Sequence, residues 1–349
     1  MSDYIEFKSN SSFDLEAYIL SQIAVNSSTD KLSLYLIMPM AILGVVFNFI
    51  SFGIFCKKKF NKVSLFKFMQ MYTFASAFGS SCLIFYFYMA PYTFPEFILN
   101  FGTRIYNCKV LIGILNMYAY ENALDSFINI ERAVCFSTGF KRYKKISPYT
   151  IGSIVFFVCL LISGPLYFTY HILSDTDLHD RQKNTQLANR YLNLCELSEF
   201  TLSGLGKIFL IISFLMTGPV IFVMDAVTNL IAFISYRRFM ERKKEALRQP
   251  QHNNKSKKQM KKEAEDRRLF LMTCLLSIYS CVNHLVQFAS EFVTFIVAPP
   301  PKIVAWYIWI TFLTISLKKV VNIFFFIGFN KRFRHALFFW RSKATSKTQ

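Results

Sequence analysis

Seven long apolar runs dominate the chain, at 34–55, 65–89, 108–130, 149–172, 208–236, 269–297 and 303–329. Each reaches the roughly 17–25 mostly apolar residues with which an α-helix crosses a hydrocarbon core about 30 Å thick. Membrane β-strands are a poor reading, because they alternate over ~10 residues and these runs are continuous. Together the runs use most of the 349 residues and leave no room for a large soluble domain. Only 17% of the residues are charged, against about 25% in an ordinary soluble chain. The expectation is an all-α membrane protein. A seven-transmembrane helix bundle would fill 34–329, preceded by an extracellular N-terminus, 1–33, and followed by a cytoplasmic amphipathic helix and tail, 330–349. Lys67, Glu121 and Asp125 interrupt the second and third runs. The first 33 residues are polar and acidic, and the run after them is long enough to stay in the membrane, so it reads as a span rather than a cleaved leader.

Charge sets the orientation. Lys and Arg favour the cytoplasmic side of short loops. With the N-terminus outside, 29 of the 40 Lys and Arg fall on the inner side. They include Lys57, Lys58, Lys59, Lys62 and Lys67, then Arg132, Lys141, Arg142, Lys144 and Lys145, thirteen in 237–268, and six in the tail. The net charge of +19 is therefore explained by topology and by contact with an anionic inner leaflet, and nucleic-acid binding is not expected. The basic stretch 237–268 either extends helices five and six into water or lies as an amphipathic helix on a partner or on lipid. The segment 249–255, with Pro250, breaks it in the middle.

On the outer side, Asn10-Ser11-Ser12 and Asn26-Ser27-Ser28 match the N-glycosylation pattern. Of eight cysteines, only Cys108 and Cys195 occupy predicted oxidising positions; a disulfide between them would pin the second outer loop over the bundle mouth. Cys56, Cys82, Cys135, Cys159, Cys274 and Cys281 read as small packing residues.

Seven spans with the N-terminus outside, a cysteine heading the third and another in the second outer loop, resemble a G-protein-coupled receptor. Glu131-Arg132 resembles the family's acidic-Arg pair at the inner end of the third span. Gly44 and Asn48 resemble its Gly-Asn signature with altered spacing, and Pro165 and Pro219 stand where the fourth and fifth spans often carry prolines. Asn322-Ile323-Phe324-Phe325-Phe326 stands where the family has Asn-Pro-x-x-Tyr, and 329–338 resembles the interfacial eighth helix. The motifs are degraded: the second span lacks a carboxylate, the sixth lacks a proline, and the seventh lacks both the motif's proline and its tyrosine. This Phe-rich pattern is most similar to the nematode serpentine chemoreceptors of the Sra/Sre type. The resemblance implies a sensory-neuron plasma-membrane receptor that detects a small-molecule ligand and activates a heterotrimeric G protein. It implies that Arg132 holds a resting state through a nearby acid and then meets the G protein. Glu131, Glu263, Glu265 and Asp266 are the candidate acids, and Asp225 could approach from above. Asn322 and Phe326 would belong to the same activation switch. A snorkelling interfacial arginine is the plainer alternative.

Ionisable residues inside a span are costly and point to function. Glu121 and Asp125, four apart, share a face of the third helix. Glu121 lies about 16 Å above Arg132 at 1.5 Å per residue. Lys318 and Lys319 lie one turn above Asn322, at comparable depth. An ion pair of Glu121/Asp125 with Lys318/Lys319, between helices three and seven, is expected, either as a switch or as a fixed staple. The ligand cavity is expected between helices three, five, six and seven, lined by Met117, Tyr118, Asn283, His284, Gln287, Glu291 and Trp306; for any one aromatic, core packing is the plainer reading. No P-loop, Gly-rich nucleotide motif, nucleophile elbow or metal-spaced His/Cys cluster appears, so neither enzyme activity nor a cofactor or metal is expected. Two rivals remain: a transporter or channel using the intramembrane charges as an ion path, and a retinal-binding, opsin-like receptor with Lys318 or Lys319 as the Schiff-base lysine.

Overall fold

The structure, a computed structural model, describes residues 32–88, 101–136, 145–164, 170–172, 195–197, 203–248, 257–292 and 301–338. Long uninterrupted apolar stretches become long helices. A π-helical turn, Ser33–Ile37, leads into α1 (Met38–Phe55). It is followed by α2 (Ser64–Tyr88), α3 (Phe101–Phe136) and α4 (Pro148–Ser163). Two short strands, β1 (Tyr170–Ile172) and β2 (Cys195–Leu197), pair antiparallel with Ile172 opposite Cys195. The rod α5 has three parts: Gly204–Leu215, a π-helical turn Met216–Val220, and Ile221–Arg248. Then come α6 (Lys257–Phe292), α7 (Pro301–Phe329) and the short α8 (Lys331–Phe338).

The breaks have local causes. Pro148 and Pro301 stand at the first position of their helices, where a missing N–H removes no helical bond. Ser203 caps α5 by accepting the Gly206 N–H at 3.1 Å. Pro219 lies inside the wide turn of α5, a common way for a helix to absorb a missing donor. Asn330 separates α7 from α8 and caps the latter, its Oδ1 accepting the Phe333 N–H at 3.0 Å.

Charged side chains lie inside the bundle, beside an apolar core, while many large apolar side chains lie on its outside. Leu161 (76%), Phe157 (61%) and Phe324 (60%) are exposed, whereas Glu121, Asp225, Lys318 and Lys319 are at most 2% exposed. Water would favour the opposite distribution; a lipid environment favours this one. Among the described residues, four helical stretches, Tyr35–Phe55, Gly204–Arg242, Arg267–Val286 and Trp309–Phe329, are long and apolar enough to cross a membrane. The polar residues Asn116, Glu121, Asn122 and Asp125 lower the hydropathy of α3, and α4 is a shorter apolar helix of 16 residues. The chain is thus an all-α membrane protein, with one small ribbon among the described residues.

In the bundle α3 packs against α2, α4, α5 and α6, while α1 packs against α2 and α7. Gly44 permits that closeness: a Cβ there would stand 2.8 Å from Ser80 Oγ and 3.4 Å from Lys319 Cβ. At the α8 end, Phe55 gathers the rings of Phe60, Phe66, Phe326 and Phe333 at centroid distances of 5.2–5.9 Å. Phe333 is fully buried and wedges α8 under α1 and α7. A second aromatic group ties α3, α5 and α6 together beside it. Tyr236 stacks on Phe270 at 3.8 Å, and Phe136 stands edge-on to both.

Candidate functional site

The candidate site is a continuous polar cluster in the middle of the bundle. It begins on α3, where Glu121 and Asp125 project from successive turns of one face and Asn122 and Ser126 flank them. Lys318 and Lys319 are neighbours on α7, and consecutive helical residues point about 100° apart. They therefore reach different acids. Lys318 Nζ lies 2.7 Å from Asp125 Oδ2, and Lys319 Nζ lies 2.8 Å from Glu121 Oε2.

Each lysine has further acceptors, as a buried ammonium with three donors requires. Lys318 Nζ donates to Asn122 Oδ1 and Ser280 Oγ, both at 2.9 Å, and lies 5.8 Å from the centre of the Tyr72 ring. Lys319 Nζ approaches the Ser76 carbonyl at 3.4 Å. Asn48 on α1 fastens the α7 backbone at this level, its Nδ2 donating to the Lys319 carbonyl at 3.0 Å and the Gly44 carbonyl at 2.8 Å. One turn further along α7, Asn322 Nδ2 donates to Tyr72 OH at 2.9 Å. Five helices thus meet at two lysines.

The cluster continues through α6 to α5. Ser280 Oγ donates to Asp125 Oδ2 at 2.9 Å and lies 3.4 Å from His284 Nε2. The same nitrogen is 3.2 Å from Asp225 Oδ2 on α5, and Ser126 Oγ donates to the other Asp225 oxygen. Asp225 and His284 are almost wholly buried. Neither was placed here by sequence reasoning. Asp225 was expected near Arg132, and His284 as a liner of the ligand cavity. Instead Asp225 meets Ser126, six residues from Arg132 on α3, and His284 bridges Asp225 to Ser280. Both are ionisable residues inside apolar runs, which was the available signal; their pairing across 59 positions was not.

The remaining expected residues divide by location. Tyr118 and Asn283 are buried and joined by a bond from Asn283 Nδ2 to Tyr118 OH at 2.6 Å, and the Tyr118 ring lies 6.0 Å from that of His284. Met117 is half-buried. Trp306 is 42% exposed and packs edge-on against Trp309. Glu131 and Arg132 are buried near the α8 end of α3, and Phe326 is buried in the aromatic group there. Glu265, expected as an acid for Arg132, pairs with Arg332 of α8 at 2.6 Å. The side chains of Gln287, Glu291, Glu263, Asp266, Cys108 and Cys195, and all of Asn10 and Asn26, lie outside the described residues. Cys56, Cys82, Cys159, Cys274 and Cys281 are free thiols.

Between the cluster and the α8 end, Asp125, Tyr72, Asn129, Thr273 and Ser277 face a cavity of about 10 Å³, closed by Met69, Ile128, Leu276 and Phe326. That volume suits one water molecule. Asn129 Nδ2 donates to Ser277 Oγ at 2.7 Å along its wall. Among the described residues no group of three or more His, Cys, Asp or Glu side chains is placed to hold a metal ion. No protein-family model matches the chain, and no curated protein matches it.

Proposed function

We propose that this membrane protein is a seven-span, G-protein-coupled chemosensory receptor of the plasma membrane of sensory neurons, with its N-terminus outside and its basic loops on an anionic inner leaflet. In this reading a small-molecule ligand enters from the outer side, near Tyr118 and Asn283, and the bundle transmits its binding to a heterotrimeric G protein at the α8 end. The outer segments carry sugars at Asn10 and Asn26 and the Cys108–Cys195 disulfide, and no chemical reaction is catalysed.

One observation carries the reading: the buried cluster joins α3, α5, α6 and α7 between the Tyr118–Asn283 bond and Arg132. A ligand that shifts one of these helices must disturb bonds to the others, and a network with discrete arrangements is what couples distant sites. The aromatic group of Phe136, Tyr236 and Phe270 closes the same three helices α3, α5 and α6 one turn beyond Arg132. Lys318 and Lys319, each enclosed and already paired with an acid, favour a packed switch over a Schiff-base site or an open ion path.

The test is nucleotide exchange on G proteins in membranes from cells with confirmed surface expression. Wild type is compared with Arg132→Ala across a panel of small odorants. The expected result is ligand-dependent exchange that falls at least about tenfold, ~1.4 kcal/mol of coupling, in the variant. Absence of exchange with every G protein tried, together with ion or solute flux in the same membranes, would replace the receptor by a transporter.

A further inference from the structure

The charges of the cluster do not balance without one more proton. Three carboxylates, Glu121, Asp125 and Asp225, face two lysines, Lys318 and Lys319, and one histidine, His284. With every carboxylate ionised, both lysines charged and the imidazole neutral, the bundle would enclose one unpaired negative charge. A buried charge lacking a partner is among the most expensive features a protein interior can hold. One proton on the imidazole makes the sum zero, and His284 Nε2, 3.2 Å from Asp225 Oδ2, is where that proton meets the acid with no lysine of its own.

The surroundings support this placement. Lys318 is engaged by Asp125, Asn122 and Ser280, and Lys319 by Glu121 and Ser76. Among the described residues, Asp225 receives only Ser126, from α3, besides the histidine. Among the described residues, the groups facing the pair are few. From α3 come Asp125, Ser126 and Tyr118, with Glu121 one turn away. From α6 come Ser280 and Cys281, the latter accepting from Asn229 of α5 at 3.6 Å. From α7 comes Lys318, with Tyr72 of α2 beside it. Along Pro148–Ser163, α4 brings no charged residue.

We propose that Asp225 and His284 form a proton-binding site, in which one exchangeable proton completes the charge of the cluster and fastens α5 to α6. The bound proton turns a contact between an acid and a neutral ring into an ion pair with a shared hydrogen bond. Its loss leaves a net negative charge between α3, α5 and α6 and weakens their association. Acid therefore favours the arrangement seen here, and alkali loosens it as the proton is lost. The site stands independently of any coupling to a G protein.

The test uses the full chain, purified and placed in lipid nanodiscs, with the thermal midpoint followed from about pH 5 to 9, the range that brackets an ordinary histidine. Wild type, Asp225→Asn, His284→Gln and the double variant are compared. In wild type the midpoint should fall as pH rises, and infrared spectra should show an imidazolium band that disappears in parallel. Asp225→Asn leaves two acids against two lysines and no need for the proton, so its pH dependence over this range should be lost. His284→Gln leaves the negative charge uncompensated and should melt lowest. The double variant, again neutral, should recover to the level of Asp225→Asn. If His284→Gln does not fold, the other three proteins still decide the matter. A slope in Asp225→Asn equal to that of wild type, or a wild-type imidazole spectrum unchanged across the range, overturns the proposal. Neither readout involves a G protein, so a failure here and a failure of the receptor reading are separate results.

Discussion

At the scale of single residues, Lys319 shows how a buried charge is tolerated. Its ammonium has Glu121 at 2.8 Å and the Ser76 carbonyl at 3.4 Å, and Gly79 leaves it space: a Cβ there would stand 2.8 Å from Nζ. Removing one partner strands the other. Lys319→Met should destabilise the bundle by about 3–5 kcal/mol, the usual cost of an orphaned buried ion. Adding Glu121→Leu should recover most of that loss, because an apolar pair of similar volume needs no solvation. Reversible unfolding in mild detergent reads both values; a double variant no better than the single one would mean that the pair is not the origin of the loss. The expected pairing of Glu121 and Asp125 with Lys318 and Lys319 was legible because all four are charges inside apolar runs, on two helices of matching depth. Which lysine takes which acid was not legible. It depends on the rotation of α7 about its axis, which residue spacing within one helix does not reveal. Asp225 and His284 were harder still, since each is an ionisable residue near the middle of its own apolar run and only tertiary packing brings them within 3.2 Å.

At the scale of elements, α1 owes its place to small residues and one amide. Gly44 lets α1 approach Ser80 of α2 and Lys319 of α7, and Asn48 bonds to the α7 backbone at the same height. A Gly-Asn pair in the first span was visible in the sequence, but its physical use, a backbone clamp on the lysine turn of α7, was not. Gly44→Leu would force side-chain atoms into that contact and should cost about 1–3 kcal/mol, in the range of overpacked cores, with the loss read from the unfolding midpoint; an unchanged midpoint would show that α1 is free to move aside. The helix α8 illustrates the converse. Its basic, aromatic pattern was readable as an amphipathic helix, whereas the link of its Arg332 to Glu265 of α6 arises from how the two helix ends converge. That pair is partly exposed, so it positions α8 more than it stabilises the fold.

At the scale of the whole molecule, buried charges within an apolar exterior point to a membrane environment, and the Lys and Arg distribution supports the orientation we propose. A tag at the N-terminus should be accessible on intact cells, and a tag at the C-terminus only after permeabilisation. The reverse labelling would place the basic loops outside and remove the receptor reading altogether. The long helices were legible from hydropathy because lipid imposes a simple length rule. The central cluster was legible only in part, because it is a property of six helices at once. Its two ion pairs also have a history in time. Asp125 and Lys318 are 193 positions apart, and Glu121 and Lys319 are 198 apart. At about 5–20 residues per second, a ribosome needs roughly 10–40 s to deliver the lysines after the acids. For that interval α3 carries two carboxylates with no cation to meet them. The nascent chain must shelter its third helix from lipid, beside the insertion machinery or in a watery niche, until the seventh is made. Synthesis stopped short of α7 yields a bundle that has every earlier helix and no means of closing on its own centre.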